Sequence, residues 1–210
     1  ANIELAGSGN IKASNDDLRC LLARRAFDYI DLDPFGTPVH FIPAIMQGLR
    51  RHGVAGITAT DTAPLAGTYP KKCLRRYGAL SMRSPFGHES GLRILIGHIA
   101  REAAKEDKGL ECLLSFYADH YMRAYVRVVD GGAAADRTIA ALGFIDFDRA
   151  TGERSVSLER TSSRSIGPLW LGPLHDHDLL TSMEAGENLQ TMKRCAKYLD
   201  VWRKELDVPF

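Results

Sequence analysis

The chain has 210 residues, 45% of them hydrophobic and 25% charged, which excludes wholesale disorder, collagen-like repeats and a small disulfide-stapled scaffold. Lys and Arg number 27 against 26 Asp and Glu, a net charge of +1, so a uniformly basic nucleic-acid binder is disfavoured while a local basic patch is allowed. Cys20, Cys73, Cys112 and Cys195 lie too far apart for a C-x-x-C zinc or redox site, and scattered cysteines suit a reducing cytoplasm.

In chain order, hydrophobic periodicity predicts alternating α and β elements. A short strand at Ile11–Ala13 leads to Asn15-Asp16-Asp17, a strand end or helix cap, and a helix over Leu18–Arg25. Phe27–Leu32 is a strand stopped at Asp33-Pro34. A helix over Val39–Arg51 carries Phe41, Ile42, Ile45, Met46 and Leu49 on one face and stops at Gly53. Val54–Thr60 is the next strand and also ends in an aspartate, Asp61. Thr62–Gly87 holds three prolines and three glycines without a clean period, an insertion of the kind that carries function.

A helix over Ser90–Lys105 follows, with Leu92, Leu95, Ile96, Ile99 and Ala103 facing inward. Arg93, His98, Arg101 and Glu102 interrupt it well short of the ~18 apolar residues of a membrane span, so no membrane association is expected. The strands Leu113–Tyr117 and Met122–Val129 flank an Asp119-His120 turn. Together these elements imply a Rossmann-like α/β domain, its sheet mostly parallel with one antiparallel pair at the end. Ligands bind such sheets at the carboxyl ends of strands, where Asp17, Asp33-Pro34 and Asp61 fall.

Gly131–Ala135 reads as a hinge, with Thr138–Leu142 a last helix of the first domain. Asp146–Ser165 is polar, and Ile166–Leu174 is a Gly/Pro-framed apolar knot around Trp170. Helices are expected at Asp176–Glu184 and Glu187–Leu206. The expected division is residues 1–145, a partial catalytic domain, and residues 146–210, the start of a smaller C-terminal accessory domain with too little apolar content for a core of its own. The opening ANIELAGSGN lacks an initiator Met and the features of a signal peptide, so further sequence is expected upstream.

The sharpest chemical feature is Asp31-Leu32-Asp33-Pro34-Phe35-Gly36 at a strand end. An exocyclic amino group conjugated to a heterocycle is a poor nucleophile. If the Asp33 carboxylate and the Pro34 carbonyl accept its N–H bonds, its lone pair is aimed at an electrophile while Phe35 stacks on the ring. The same residues could merely end a strand, as Asp-Pro pairs often do; on the tetrapeptide alone the two readings are even.

Longer blocks tip that balance. FDYIDLDPFGTP (Phe27–Pro38), TATDTAPLAGTYPKKCLRRYG (Thr58–Gly78), HESGLRILIGHIAREAAKEDKGLE (His88–Glu111), DHYMRAYVRV (Asp119–Val128), GPLWLGPLHD (Gly167–Asp176) and the KELDVPF tail resemble the tRNA guanine-26 N2-dimethyltransferase family, particularly its archaeal members. The resemblance implies a class I methyltransferase fold, S-adenosyl-L-methionine as cofactor, and tRNA as partner, methylated once or twice on guanosine N2. It assigns Asp33, Pro34 and Phe35 to the target-amino site. The adenine of the cofactor falls to Asp17 and Leu18, the acid accepting from N6 and the Leu18 backbone lying near N1; helix capping is the other reading of Asp17.

The glycine-rich cofactor motif and the ribose-binding acid of the family are not found in the chain, and are expected upstream of Ala1. Ala6-Gly7-Ser8-Gly9 is rejected as a substitute because it directly precedes what reads as the third strand. No cysteine lies between Cys112 and Cys195, so the four-cysteine zinc cluster of some relatives is not expected. No other metal is expected, since methyl transfer from a sulfonium needs none. Lys71, Lys72, Arg75, Arg76 and Tyr77 are the expected RNA contacts, by phosphate neutralisation and base stacking, against the simpler reading of a solvated helix surface. His88-Glu89 and Asp119-His120 read as capping and core groups. A cytoplasmic monomer is expected. The alternatives are a catalytically incomplete tRNA-binding fragment lacking the glycine motif and, more distantly, methylation of DNA or a protein amide.

Overall fold

The computed structural model describes residues 11–186 and 190–206. Phe27–Leu32 (β1) alternates as a two-residue repeat requires, burying Ile30 and Leu32 and turning Tyr29 and Asp31 to the opposite face. It pairs in parallel with Leu49–Ala59 (β2). Lys108–Ala118 (β3) and Tyr121–Asp130 (β4) form an antiparallel hairpin, and β4 also pairs antiparallel with β2. The order β1-β2-β4-β3 therefore points β1, β2 and β3 the same way, with β4 reversed between β2 and β3. Among the described residues three of the four strands run the same way, as expected, and the reversed β4 makes two antiparallel pairs where one was expected. The chain turns at Asp119, with φ of 49°, and β4 returns between β3 and β2, pairing with both.

The helices fill the inner face. Leu18–Arg24 (α1) and Ile42–Gly48 (α2) meet below β1, with Ile42, Ile45 and Met46 fully buried at helical spacing. α2 is shorter than the periodicity predicts. Leu49 is taken into the sheet opposite Phe27, and the chain turns through His52 at φ 58° before Val54 resumes pairing with Tyr29. The expected strand at Ile11–Ala13 is absent, and those residues carry no regular structure.

The insertion after β2 holds two short helices that its irregular sequence does not announce, Thr62–Leu65 (α3) and Pro70–Tyr77 (α4). Lys71, Lys72, Leu74, Arg75 and Arg76 are good helix formers, Pro70 suits a first turn, and Cys73 and Tyr77, four apart, are buried on one face. Gly87–Ala104 (α5) is buried along most of its length. The Ala-rich stretch read as a hinge is instead a helix, Gly132–Ala140 (α6), as its propensity favours.

Leu142–Phe147 (β5), Arg154–Ser157 (β6) and Ile166–Trp170 (β7) make a second antiparallel sheet, ordered β6-β5-β7. α5 is held between the two sheets. A Cβ at Gly97 would stand 3.1 Å from the backbone of Leu169 and Trp170, so a larger residue would push helix and strand apart by a few tenths of an ångström. Beside it the buried Arg93 donates to the carbonyls of Trp170 and Gly172 at 3.1 and 3.0 Å and pairs with Glu89 at 3.0 Å. Ile145, Ile166, Leu169 and Trp170 share one core with Ile94, Ile96 and Ile99, and residue 145 itself lies within β5. His177–Ser182 (α7) and Met192–Glu205 (α8) lie on the other face of the large sheet, where Leu180, Leu199 and Trp202 pack on Leu114, Phe116 and Tyr125. No helix among the described residues is long and apolar enough to cross a membrane.

Candidate active site

The carboxyl ends of β1 and β2 lie side by side, and the loop leaving β1 carries Asp33, Pro34 and Phe35. Asp33 is exposed, Pro34 half-buried, and the ring of Phe35 stands wholly in solvent. A large aromatic with no contact to shield it costs the fold nothing to lose and is free to meet a planar partner. Gly36 follows at φ 83°, a left-handed conformation that favours glycine.

Hydrogen bonds hold the loop to the end of β2. The Gly36 N–H donates to Thr60 Oγ1 at 2.7 Å, and the Thr60 N–H donates to the Gly36 carbonyl at 3.0 Å. One residue on, the Thr37 hydroxyl donates to the Tyr77 phenol oxygen at 3.1 Å, and that phenol donates to Asp61 Oδ1 at 2.6 Å. Asp61 Oδ2 takes Arg76 Nη1 at 2.7 Å. Burial, then the Asp61 charge, hold the Tyr77 phenol far above its ordinary range, so it stays a proton donor at any working pH.

A second cluster lies on the outward face of β1, just before the loop that carries Asp33. Asp31 Oδ2 accepts from the Tyr29 phenol at 2.9 Å and from Arg123 Nη2 at 2.6 Å. Arg123 Nη1 donates to Thr58 at 2.6 Å, and its guanidinium lies 4.7 Å from the Tyr125 ring centre. Three strands are thereby tied together beside the loop.

The expected RNA contacts separate. Lys71, Lys72 and Arg75 are exposed along α4, whereas Arg76 is half-buried in its pair with Asp61. Tyr77 leaves the set: its ring is fully buried and its hydroxyl is committed to Asp61 and Thr37, so no face is open to a base. At the other edge, Asp17 caps α1 and binds Arg19 through both oxygens, at 2.8 Å to the backbone N–H and 2.7 Å to Nη2. These bonds, the Arg19 side chain foremost, hold the Asp17 carboxyl down at about 2. The Leu18 N–H, in the first turn, needs no intrahelical partner. Ala6-Gly7-Ser8-Gly9 lies outside the described residues.

Sequence reasoning missed Thr37, Thr60 and the Asp31–Arg123 pair. The one available signal was position: Asp31 stands two residues before Asp33 in the chain.

All of residues 1–210 match the family model described as N2,N2-dimethylguanosine tRNA methyltransferase. The chain is 43% identical to the tRNA (guanine(26)-N(2))-dimethyltransferase of Pyrococcus furiosus over 97% of its length and 55% of that protein's. It is 44% identical to the enzyme of that name from Pyrobaculum arsenaticum over 87% of its length and 51% of the relative's. It spans about half the length of these relatives. Among solved structures it is similar to Trm1 from Pyrococcus horikoshii in complex with S-adenosyl-L-methionine, with a TM-score of 0.90 and 38% identity, covering 100% of this chain and 62% of that one. On this match the chain belongs to the N2,N2-dimethylguanosine tRNA methyltransferase family.

Proposed function

We propose that this chain is part of an enzyme that transfers methyl groups from S-adenosyl-L-methionine to the exocyclic N2 of guanosine 26 in tRNA. The observation that carries the reading is the pairing of an exposed Asp33 carboxylate with the solvent-standing ring of Phe35, on a loop clamped to β2 through Gly36 and Thr37. Asp33 accepts one N2–H of the guanine and the Pro34 carbonyl the other, which turns the nitrogen lone pair toward the incoming methyl carbon. Phe35 stacks on the base. The guanine must leave its helical stack to reach this loop, at a cost of ~a few kcal/mol.

S-adenosyl-L-methionine supplies an electrophilic methyl on a sulfonium, and the proton lost from N2 passes to Asp33 or to water. Asp17 and Leu18 fit the adenine edge in donor and acceptor type, an acid for N6–H and a backbone N–H for N1. Both Asp17 oxygens are engaged by Arg19, so adenine shares or displaces those bonds. Lys71, Lys72 and Arg75 hold tRNA phosphates. Residues 146–210 serve as an accessory, tRNA-facing part beside the catalytic residues 1–145. The same reading has a monomer acting in the cytoplasm without a metal.

The test is radiolabelled methyl transfer to unmodified tRNA by the full-length protein, with DNA and protein substrates in parallel. Label in N2-methylguanosine at position 26 is the expected result. A folded, S-adenosyl-L-methionine-binding protein that leaves tRNA unlabelled overturns the reading in favour of a non-catalytic tRNA-binding role.

A further inference from the structure

Tyr77 turns inward, but the residue just before α4 offers another ring. Tyr69 is 56% exposed, and its side chain has no hydrogen bond or ring contact among the described residues. The backbone beneath it is held firmly. The Thr68 N–H donates to the Ala63 carbonyl at 2.9 Å, and the Tyr69 carbonyl accepts the Lys72 and Cys73 N–H groups at 3.0 Å. Pro70 narrows the conformations open to the residue before it. Gly67, at φ 89°, lies against the Met82–Arg83 backbone so closely that a Cβ there would overlap it, which pins the turn between α3 and α4. A ring on such a base loses little freedom when a flat partner covers it.

The charges around the ring say what that partner carries. α4 contains Lys71, Lys72, Arg75 and Arg76 and no acid. Arg76 is taken by Asp61, whereas Lys71, Lys72 and Arg75 are exposed and have no counter-charge among the described residues. An exposed aromatic beside three unneutralised cations matches a chain that alternates flat rings with anions, which is unpaired nucleic acid. An acidic peptide would answer the charges but offers no ring at each repeat.

Position gives the ring its place on the substrate. The far end of α4 is tied to the loop of Asp33 through Tyr77 and Thr37, and at 1.5 Å per residue Tyr69 lies about 12 Å away along the helix. We propose that Tyr69 stacks on a second unpaired base of the same tRNA, within a few nucleotides of the guanine held at Asp33 and Phe35. The free cations of α4 hold the phosphates between the two bases. The proposal rests on the tRNA reading given above.

The experiment uses the full-length protein with Tyr69→Ala and Tyr69→Phe, each measured for tRNA affinity across a salt series, for methylation kinetics and for thermal stability. Tyr69→Ala is expected to weaken affinity about tenfold, the worth of one stacked base, with the loss falling on KM and the salt slope kept. Tyr69→Phe, which keeps the ring, restores wild-type affinity. Transcripts with an abasic nucleotide placed in turn at each unpaired position near 26 locate the partner. At one of them a loss of about tenfold on the wild type disappears in Tyr69→Ala. Wild-type affinity in Tyr69→Ala overturns the proposal, as does a series in which every abasic loss is the same in both proteins. A loss that Tyr69→Phe shares gives the effect to the hydroxyl and overturns stacking. A lowered Tm with unchanged tRNA affinity overturns it too, and assigns the ring to another part of the full chain. Failure of the wild type to bind tRNA overturns the parent reading as well; failure of Tyr69→Ala alone to respond overturns only the stack.

Discussion

The Tyr77 phenol donates to Asp61 Oδ1 at 2.6 Å while its oxygen accepts from the Thr37 hydroxyl at 3.1 Å. One buried ring thus joins the basic helix α4, the end of β2 and the loop that carries Asp33. Tyr77→Phe keeps the packing and removes the hydroxyl, leaving the Asp61 carboxylate with one partner fewer. The expected loss is ~1–3 kcal/mol of stability, with a fall in kcat larger than any change in KM for tRNA, because the loop is loosened and the exposed cations are untouched. Thermal melts and steady-state kinetics on the same sample separate the two effects. A lower Tm with wild-type kcat would show that the Gly36–Thr60 bonds alone hold the loop.

Asp33 offers the converse case, chemistry without structure. Its side chain is exposed at a strand end, so Asp33→Ala should leave the melting temperature and tRNA affinity close to wild type. Turnover should fall by about one to two decades for the lost charged hydrogen bond of ~1.5–3 kcal/mol, and further from misorientation of the amine. Asp33→Asn keeps an acceptor oxygen and discards the charge. Partial activity in that variant indicates orientation as the main role, and near-complete loss indicates a need for the negative charge. A large drop in Tm for Asp33→Ala would return this residue to a purely structural role.

The four exposed or half-exposed cations of α4 are expected to behave unequally. Lys71→Ala, Lys72→Ala and Arg75→Ala should each weaken tRNA binding and reduce the slope of log affinity against log salt by about 0.7–0.9. Arg76→Ala should change the slope less and cost ~1.5–3 kcal/mol of stability, because it strips a charged hydrogen bond from the buried Asp61 carboxylate. Filter binding across a salt series, paired with melts, tests the contrast. An equal slope with a lowered Tm for Arg76→Ala would mean that the Asp61 pair opens in the complex, and an unchanged Tm would mean that the pair adds nothing to stability.

The sequence reading succeeded where one residue's chemistry and one local period sufficed. Phe27–Leu32 was legible as a strand from alternation and its proline stop, and the exposed loop after it was legible from Asp33-Pro34 and Gly36. It failed where the answer depended on distant partners. The position of β4 between β2 and β3 is decided by pairing across the sheet, of which a hairpin sequence carries no sign. Tyr77 looked like a surface aromatic in a basic run; only the fold shows that it faces inward, because Asp61 and Thr37 lie 16 and 40 residues away in the chain. The cations around it were read as equivalent, and they are not, since Arg76 pairs with Asp61 while Lys71, Lys72 and Arg75 are exposed.

The pH dependence of stability should be marked by His98. Its ring packs edge-on against Tyr77 at 5.7 Å, on the buried side of α5, and its Nε2 has no partner among the described residues. Burial, then the nearby Arg101 charge, push its pKa down from 6.5 to about 4, against the weaker pull of Glu102. The folded protein therefore keeps His98 neutral while the unfolded chain protonates it, so between these two values the unfolded state binds more protons. Stability from this group is complete above pH 6.5 and is lost as pH falls toward 4, at up to about 1.4 kcal/mol per pH unit. His98→Gln removes the titration and should flatten that part of the curve, whatever its effect at neutral pH. Urea denaturation of both proteins at several pH values gives the difference in slope directly. Parallel curves would mean that His98 becomes charged in the folded state without cost, and that water reaches the Tyr77–His98 contact.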